Sequence, residues 1–143
     1  MKIDVLKQTD LNSNLENQVA ELFKQLSQNK EQIKLNDLLV NDNQITMVYC
    51  EENEKIIGMA SMCNYRVISG KKGWIEDVVV DSSARGKGIG RKLMEKLLEV
   101  AKQKKLTEVL LFTEDHRVSA INLYNNLGFK QKESKIYSIK KTL

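Results

Sequence analysis

The chain has no proline, seven glycines, two cysteines, one histidine and one tryptophan in 143 residues. Without proline, and with glycine this sparse, it is neither collagen-like nor organised around proline-rich linkers. Cys50 and Cys63 stand 13 positions apart without a C-x-x-C pair. With a single histidine beside them they fall short of a structural zinc site, so no metal is expected. Two reduced, partly buried thiols are the simplest expectation. No apolar run approaches the ~20 residues of a membrane-spanning helix. Met1 to Asp10 is too polar for a signal peptide, which points to the cytosol and away from a membrane. Lys and Arg number 23 against 19 Asp and Glu, a net charge of +4. That mild excess suits an anionic ligand and is too small to argue for nucleic acid.

What is present is ordinary for a folded domain: 41% hydrophobic and 29% charged residues. There is no repeat, low-complexity tract or linker, so residues 1–143 read as one domain. Lys2–Leu6 alternates as a short strand. Ser13, with Glu16 three residues on, reads as a capped helix start. The helix then carries Leu15, Val19, Leu22, Phe23 and Leu26 on one face. A second short helix is expected over Glu31–Leu39. Ile45–Cys50, Lys55–Val67 and Trp74–Val80 read as strands joined by short polar turns, an antiparallel meander. Ile89, Leu93, Met94, Leu97, Leu98 and Ala101 then repeat at helical spacing. Glu108–Thr113 is a short strand. Ala120, Leu123, Tyr124 and Leu127 mark another helix, ended by Gly128 as a left-handed cap. Lys135–Lys140 alternates as a last strand. The fold class is α/β (α+β): one mixed, largely antiparallel sheet flanked by helices.

The segment from Val78 to Arg91 carries the most information. It runs from a strand through Asp81-Ser82-Ser83-Ala84 into Arg85-Gly86-Lys87-Gly88-Ile89-Gly90-Arg91 and on into an amphipathic helix. The first turn of a helix has unpaired N–H groups and a partial positive charge. Glycines let the backbone approach a ligand closely, and Arg85, Lys87 and Arg91 add charge. The sum is a cradle for a diphosphate. The spacing fits neither the nucleoside-triphosphate P-loop nor the dinucleotide fingerprint, and the latter needs parallel strands before it.

Arg85-Gly86-Lys87-Gly88-Ile89-Gly90 resembles the R/Q-x-x-G-x-G/A signature of the GNAT acyltransferase superfamily. Val78-Val79-Val80 resembles that family's coenzyme strand, and Leu123-Tyr124 through Gly128-Phe129 its L-Y-x-x-x-G-F signature. The similarity covers roughly residues 45 to 140. It implies a GNAT-like fold and an acetyl-CoA-dependent N-acetyltransferase. Acetyl-CoA would lie with its pyrophosphate on the amides of Arg85–Gly90. Its pantetheine would pair with backbone groups of Val78 and Val80, in the manner of an added strand. The N–H near Val78 or Val79 would face the oxyanion. Tyr124 would protonate the departing thiolate.

Glu76 and Asp77 precede the valines. In a regular strand Glu76 shares a face with Val78 and Val80. Acids in an apolar strand are costly unless they bind something. The stretch Ile75-Glu76-Asp77-Val78 resembles glucosamine-phosphate acetyltransferases of the superfamily, whose acids lie near the amine. Glu76 is the candidate base, directly or through a water, with Asp77 in reserve. Two positions depart from the pattern. Ser82 and Ser83 stand where proline is common, and Arg117 stands where an asparagine often contacts pantetheine. His116 reads as an exposed loop residue outside the catalytic set. Trp74, Tyr65 and Arg66 lie on strands that would border the acceptor, while Phe23 and Phe112 read as core.

The function expected is acetyl transfer to a primary amine of a small molecule: amino sugar, polyamine, amino acid or drug. The alternatives are a non-catalytic acyl-CoA-binding module and a protein or peptide N-acetyltransferase. No nucleic-acid partner is expected. A homodimer is an expectation from the resemblance alone.

Overall fold

Five strands form one sheet in the order of the sequence: β1 (Lys2–Val5), β2 (Ile45–Glu52), β3 (Lys55–Val67), β4 (Gly70–Val80) and β5 (Glu108–Leu110). The first four pair antiparallel, as the short turns require for β2–β3 and β3–β4, and β5 joins β4 parallel. The β2–β3 hairpin closes through Asn53 and Glu54, both left-handed with φ of 52° and 63°. That geometry matches the twist of the strands it joins. The computed structural model describes residues 1–141. They fall into two compact units, Met1–Phe112 and a second that begins at Thr113.

In the first unit the sheet is covered on both faces. Helix α1 (Ser13–Leu26) and the single turn α2 (Leu35–Leu38) lie on one face. There Val19, Leu22 and Leu35 pack with Met47, Tyr49, Met59 and Val79. Helix α3 (Ile89–Gln103) covers the other face through Ile89, Leu93, Met94 and Leu97, all essentially inaccessible to water. Burial of each such side chain contributes about 1.5–3 kcal/mol. Gly58 lets α3 come this close: a Cβ there would stand 2.9 Å from Ile89 Cγ2 and 3.0 Å from Leu93 Cδ1.

The second unit holds α4 (Val118–Asn126), closed by Gly128 at φ 97° as the left-handed cap expected there.

Several expectations shift. Asn12, not Ser13, caps α1 by accepting a hydrogen bond from the Leu15 N–H at 2.9 Å. Glu16 makes no capping box and accepts instead from the Asn36 amide at 3.3 Å. The helix expected over Glu31–Leu39 contracts to four residues. Lys135–Lys140 forms no strand. Its Ile136, Tyr137 and Ile139 are exposed. Alternation makes a segment able to pair but does not supply a partner. Phe112 is not core: it is 55% exposed, with its ring 6.2 Å from that of Trp74.

Candidate active site

The site grows out of an irregularity in β4. Met59 lies opposite Val79, but Ser61 lies opposite Glu76, so the register slips by one residue between them. Asp77 takes the slack with φ at 54°, a left-handed conformation that aspartate tolerates better than most residues. This is a β-bulge, two residues against one, and it reverses the alternation of the strand. Glu76 therefore does not share a face with Val78 and Val80. It shares one with Val79, on the side of the sheet that carries α1. Val80 lies opposite Gly58, on the side that carries α3.

The second irregularity is an opening. Parallel pairing of β4 with β5 covers only Lys72 to Trp74. From Ile75 to Val80 the other edge of β4 has no strand partner among the described residues. An extended ligand can take the place of the missing strand there, using the same backbone groups.

This open edge leads into the glycine loop. Asp81 accepts from the Ser83 N–H at 2.9 Å and from its hydroxyl at 2.8 Å, and the Asp81 N–H donates to the Ile57 carbonyl at 2.8 Å. The Ser82 N–H donates to Gln25 Oε1 of α1 at 2.9 Å. The loop is thus held at its start and free at its apex. Gly86 and Gly88 are left-handed, with φ of 82° and 76°, and a Cβ at either would meet nothing within 4 Å. The space is open and the backbone conformation is one that side chains avoid. Gly88 is the N-cap of α3, no side chain caps that end, and the first turn carries no acid. The first-turn amides are therefore left for an external anion. Arg85 and Lys87 are exposed beside them.

The acetyltransferase (GNAT) family model matches residues 12–129. The chain belongs to the GNAT acetyltransferase family. It is 32% identical over 142 residues to the glucosamine 6-phosphate N-acetyltransferase of Trypanosoma brucei brucei, covering 93% of this chain and 91% of that one. A shorter match, 38% identical over 64 residues, is to the thialysine N-epsilon-acetyltransferase of Mus musculus, covering 45% of this chain and 38% of that one. The crystal structure of glucosamine-6-phosphate N-acetyltransferase from Arabidopsis thaliana superposes with a TM-score of 0.78 at 25% identity, covering 96% of this chain and 97% of that one. The chain is an acyltransferase, and its family uses acetyl-CoA as cosubstrate.

In this GNAT acetyltransferase the acids of β4 sit in a distinctive field. Desolvation raises the Glu76 carboxyl above its ordinary value, the neighbouring Asp77 charge raises it further, and Lys30 pulls it part of the way back. Desolvation raises Asp77 too, again against Lys30. A carboxylate held above its usual range is a better proton acceptor. Cys63 lies opposite Trp74 on the same face as Glu76. Its thiol is pushed up by desolvation and then by the charges of Glu76 and Asp77. Sequence reasoning placed Trp74 on a strand bordering the acceptor but missed Cys63 and Lys30: the register that sets Cys63 opposite Trp74 leaves no mark in the pattern, and Lys30 comes from the segment after α1.

Other expected site residues divide. Ile89 is 1% exposed, so its side chain anchors the loop and only its backbone is left to meet a ligand. Val79 is likewise core. Arg91 is engaged by Glu95, Nε to Oε1 at 2.7 Å, and Lys96 by Glu99 at 3.4 Å. Tyr124 belongs to the second unit, where its ring meets Phe129 edge-on at 6.1 Å. Desolvation raises its phenol, with Arg117 acting in the opposite sense. His116 pairs with Glu114 at 3.3 Å, and both are exposed. Cys50 is buried, Cys63 is exposed, and both are free thiols. Among the described residues no cluster of three or more His, Cys, Asp or Glu is placed to hold a metal, and no helix is long and apolar enough to cross a membrane.

Proposed function

We propose that this acetyltransferase moves the acetyl group of acetyl-CoA to the primary amine of a small molecule by direct attack within a ternary complex. The observation that carries the reading is the open edge of β4 running into an uncapped, glycine-lined helix start. It offers a strand-like slot for pantetheine followed by free amides for a pyrophosphate. Val78 and Val80 supply the slot and Arg85–Gly90 the amides, with Arg85 and Lys87 adding charge.

The residues divide the chemistry among them. The amine nitrogen attacks the thioester carbon, the carbon–sulfur bond breaks, and the N–H near Val78 or Val79 donates to the developing oxyanion. Glu76 takes the proton of the amine, directly or through one water. Tyr124 returns a proton to the departing sulfur, and its raised pKa keeps that proton in place until needed. Direct attack is favoured over an acetyl-cysteine route because desolvation and the charges of Glu76 and Asp77 push the Cys63 thiol up, away from the thiolate that a nucleophile needs. An amino sugar phosphate is the first acceptor to test, given a relative of that activity matched over nearly the whole chain. Two free thiols suit the reducing cytosol.

The test is calorimetric titration of acetyl-CoA into the wild type and Gly88→Glu, which sets an anion where the pyrophosphate belongs. We expect binding by the wild type and none by the variant. Absence of binding up to millimolar acetyl-CoA overturns the reading. Release of free thiol is then followed with glucosamine 6-phosphate, spermidine, lysine and a peptide amine. Turnover with the peptide alone would replace the small-molecule acceptor. Binding without turnover on any amine would leave a coenzyme-binding module.

A further inference from the structure

At the opposite end of α3 from the glycine loop lies a second basic site. A cleft of about 340 Å³ opens there, lined by Asn43, Gln44, Asn64, Arg66, Lys71 and Lys104 among others. That volume falls within the range of small-molecule sites. Fifteen helical residues separate it from the loop. At ~1.5 Å per residue that is a little over 20 Å, too far for one coenzyme phosphate to occupy both places.

The cleft is charged in a way that folding alone does not call for. Arg66 and Lys71 are direct cross-strand partners on β3 and β4. Like charges in that position repel. Lys104 ends α3 and adds a third cation to the lining. Among the described residues no carboxylate lines the cleft and none of the three cations forms an ion pair. The negative end of the α3 dipole, about half a charge, offsets only part of three full charges.

The backbone of the walls is also fixed before any ligand arrives. Asn64 N–H donates to the Gln44 carbonyl at 2.9 Å, and Asn43 Nδ2 donates to the Leu38 carbonyl at 2.8 Å. The Lys71 carbonyl accepts from both the Thr107 N–H at 2.7 Å and the Thr107 hydroxyl at 2.9 Å. Leu106 N–H donates to the Ala101 carbonyl at 3.0 Å, locking the turn that presents Lys104. Within this fixed frame one acceptor has nothing to accept. Asn64 Oδ1 is buried and has no hydrogen-bond partner. Buried polar atoms are ordinarily satisfied, and an orphan acceptor calls for a donor brought from outside.

Three unpaired cations and an unsatisfied acceptor describe the complement of one chemical class. We infer that this cleft binds a small hydroxyl-bearing phosphate ester, its phosphate on Arg66, Lys71 and Lys104 and a hydroxyl donating to Asn64 Oδ1 once the half-buried Asn64 side chain turns outward. The site is separate from the transfer chemistry; only the coenzyme A block in its calorimetric test rests on the reading proposed above, and the thermal melts do not.

The experiment uses the full chain with the glycine loop saturated by coenzyme A, so that phosphate binding at the loop is blocked. Ribose 5-phosphate, ribose and inorganic phosphate are titrated by calorimetry into the wild type, Arg66→Glu/Lys104→Glu and Asn64→Leu. Thermal melts with and without ribose 5-phosphate provide a readout that needs neither coenzyme nor turnover. We expect one equivalent of ribose 5-phosphate to bind the wild type and to raise its melting temperature, with no binding of ribose. Charge reversal should weaken the ester at least about tenfold, as loss of charge-assisted hydrogen bonds does. Asn64→Leu should weaken the ester but not inorganic phosphate. The variants' melting curves without ligand show whether they remain folded. No binding of the ester to the wild type, binding that survives charge reversal in a folded variant, or equal affinity for inorganic phosphate each overturns the proposal.

Discussion

The two halves of β4 share one strand and one neighbour, yet they differ in what their outer edge does. From Lys72 to Trp74 the strand is bonded to β3 on one side and β5 on the other. Lys72 reaches across to Glu108 at 3.5 Å, and Gly73 is buried against Met62 and Leu106. From Ile75 to Val80 only the β3 side is paired among the described residues, the register slips, and two acids stand on the strand. The paired half behaves as sheet interior, where every backbone group is satisfied and each side chain is tightly fitted. The other half leaves backbone groups available and tolerates a left-handed aspartate. Stability is concentrated in the first and ligand capacity in the second.

Substitutions in each half should separate the two properties. The largest effect is expected from Glu76→Gln in the open half. The rate at neutral pH should fall about a hundredfold, ~2.7 kcal/mol in the barrier, with acetyl-CoA affinity unchanged. Steady-state kinetics and titration check this, and an unaltered rate would remove Glu76 from the mechanism. Next comes Gly73→Ala in the closed half. Its Cβ would lie 2.8 Å from Met62 Sδ and 3.0 Å from Leu106 Cδ1. Overpacking there should cost about 1–3 kcal/mol in denaturant unfolding. Coenzyme binding should not change, and a parallel loss of affinity would erase the contrast between the halves.

The smallest effect on stability is expected from Asp77→Asn. Because the Asp77 carboxyl is raised in the folded protein, the folded state holds that proton more tightly than the unfolded chain. Its contribution is most favourable below the ordinary aspartate value and is lost as pH rises through the raised one. Asparagine removes that loss and accepts the left-handed backbone. Melting at pH 7 should therefore show a gain of a few tenths of a kcal/mol, kept small by solvent screening. The gain should vanish in acid. The same change removes a charge that raises Glu76, so the acid limb of the rate profile should move to lower pH. A limb that stays in place would show that another group governs it.

Much of this was legible in the residues. Lys55–Val67 is the strand expected between its two polar turns, Ile89 opens the helix that its apolar spacing predicts, and Gly128 takes the expected left-handed turn. These features are local: a period, a cap, a glycine where φ must be positive. The misses are non-local. Lys135–Lys140 alternates but forms no strand. Phe112 is aromatic but lies beyond β5, where the sheet no longer covers it. The site divides the same way. Its glycine loop announces itself in composition, whereas the face on which Glu76 stands depends on how β3 registers against β4. The basic cleft was hidden because Asn64, Arg66 and Lys104 are brought together only by the fold.

The bulge at Asp77 works like a dislocation in a lattice: order holds on both sides but is displaced by half a period. Val80 points toward α3, where Ile89 and Leu93 crowd so closely that position 58 has room only for glycine. Without the slip Glu76 would point the same way, and an unpaired carboxylate would be driven into a dry wall of hydrocarbon. One extra residue turns a charge that would oppose folding into one that faces the opposite side of the sheet. The acid and the oily strand that carries it are compatible only because the strand falls out of step with itself.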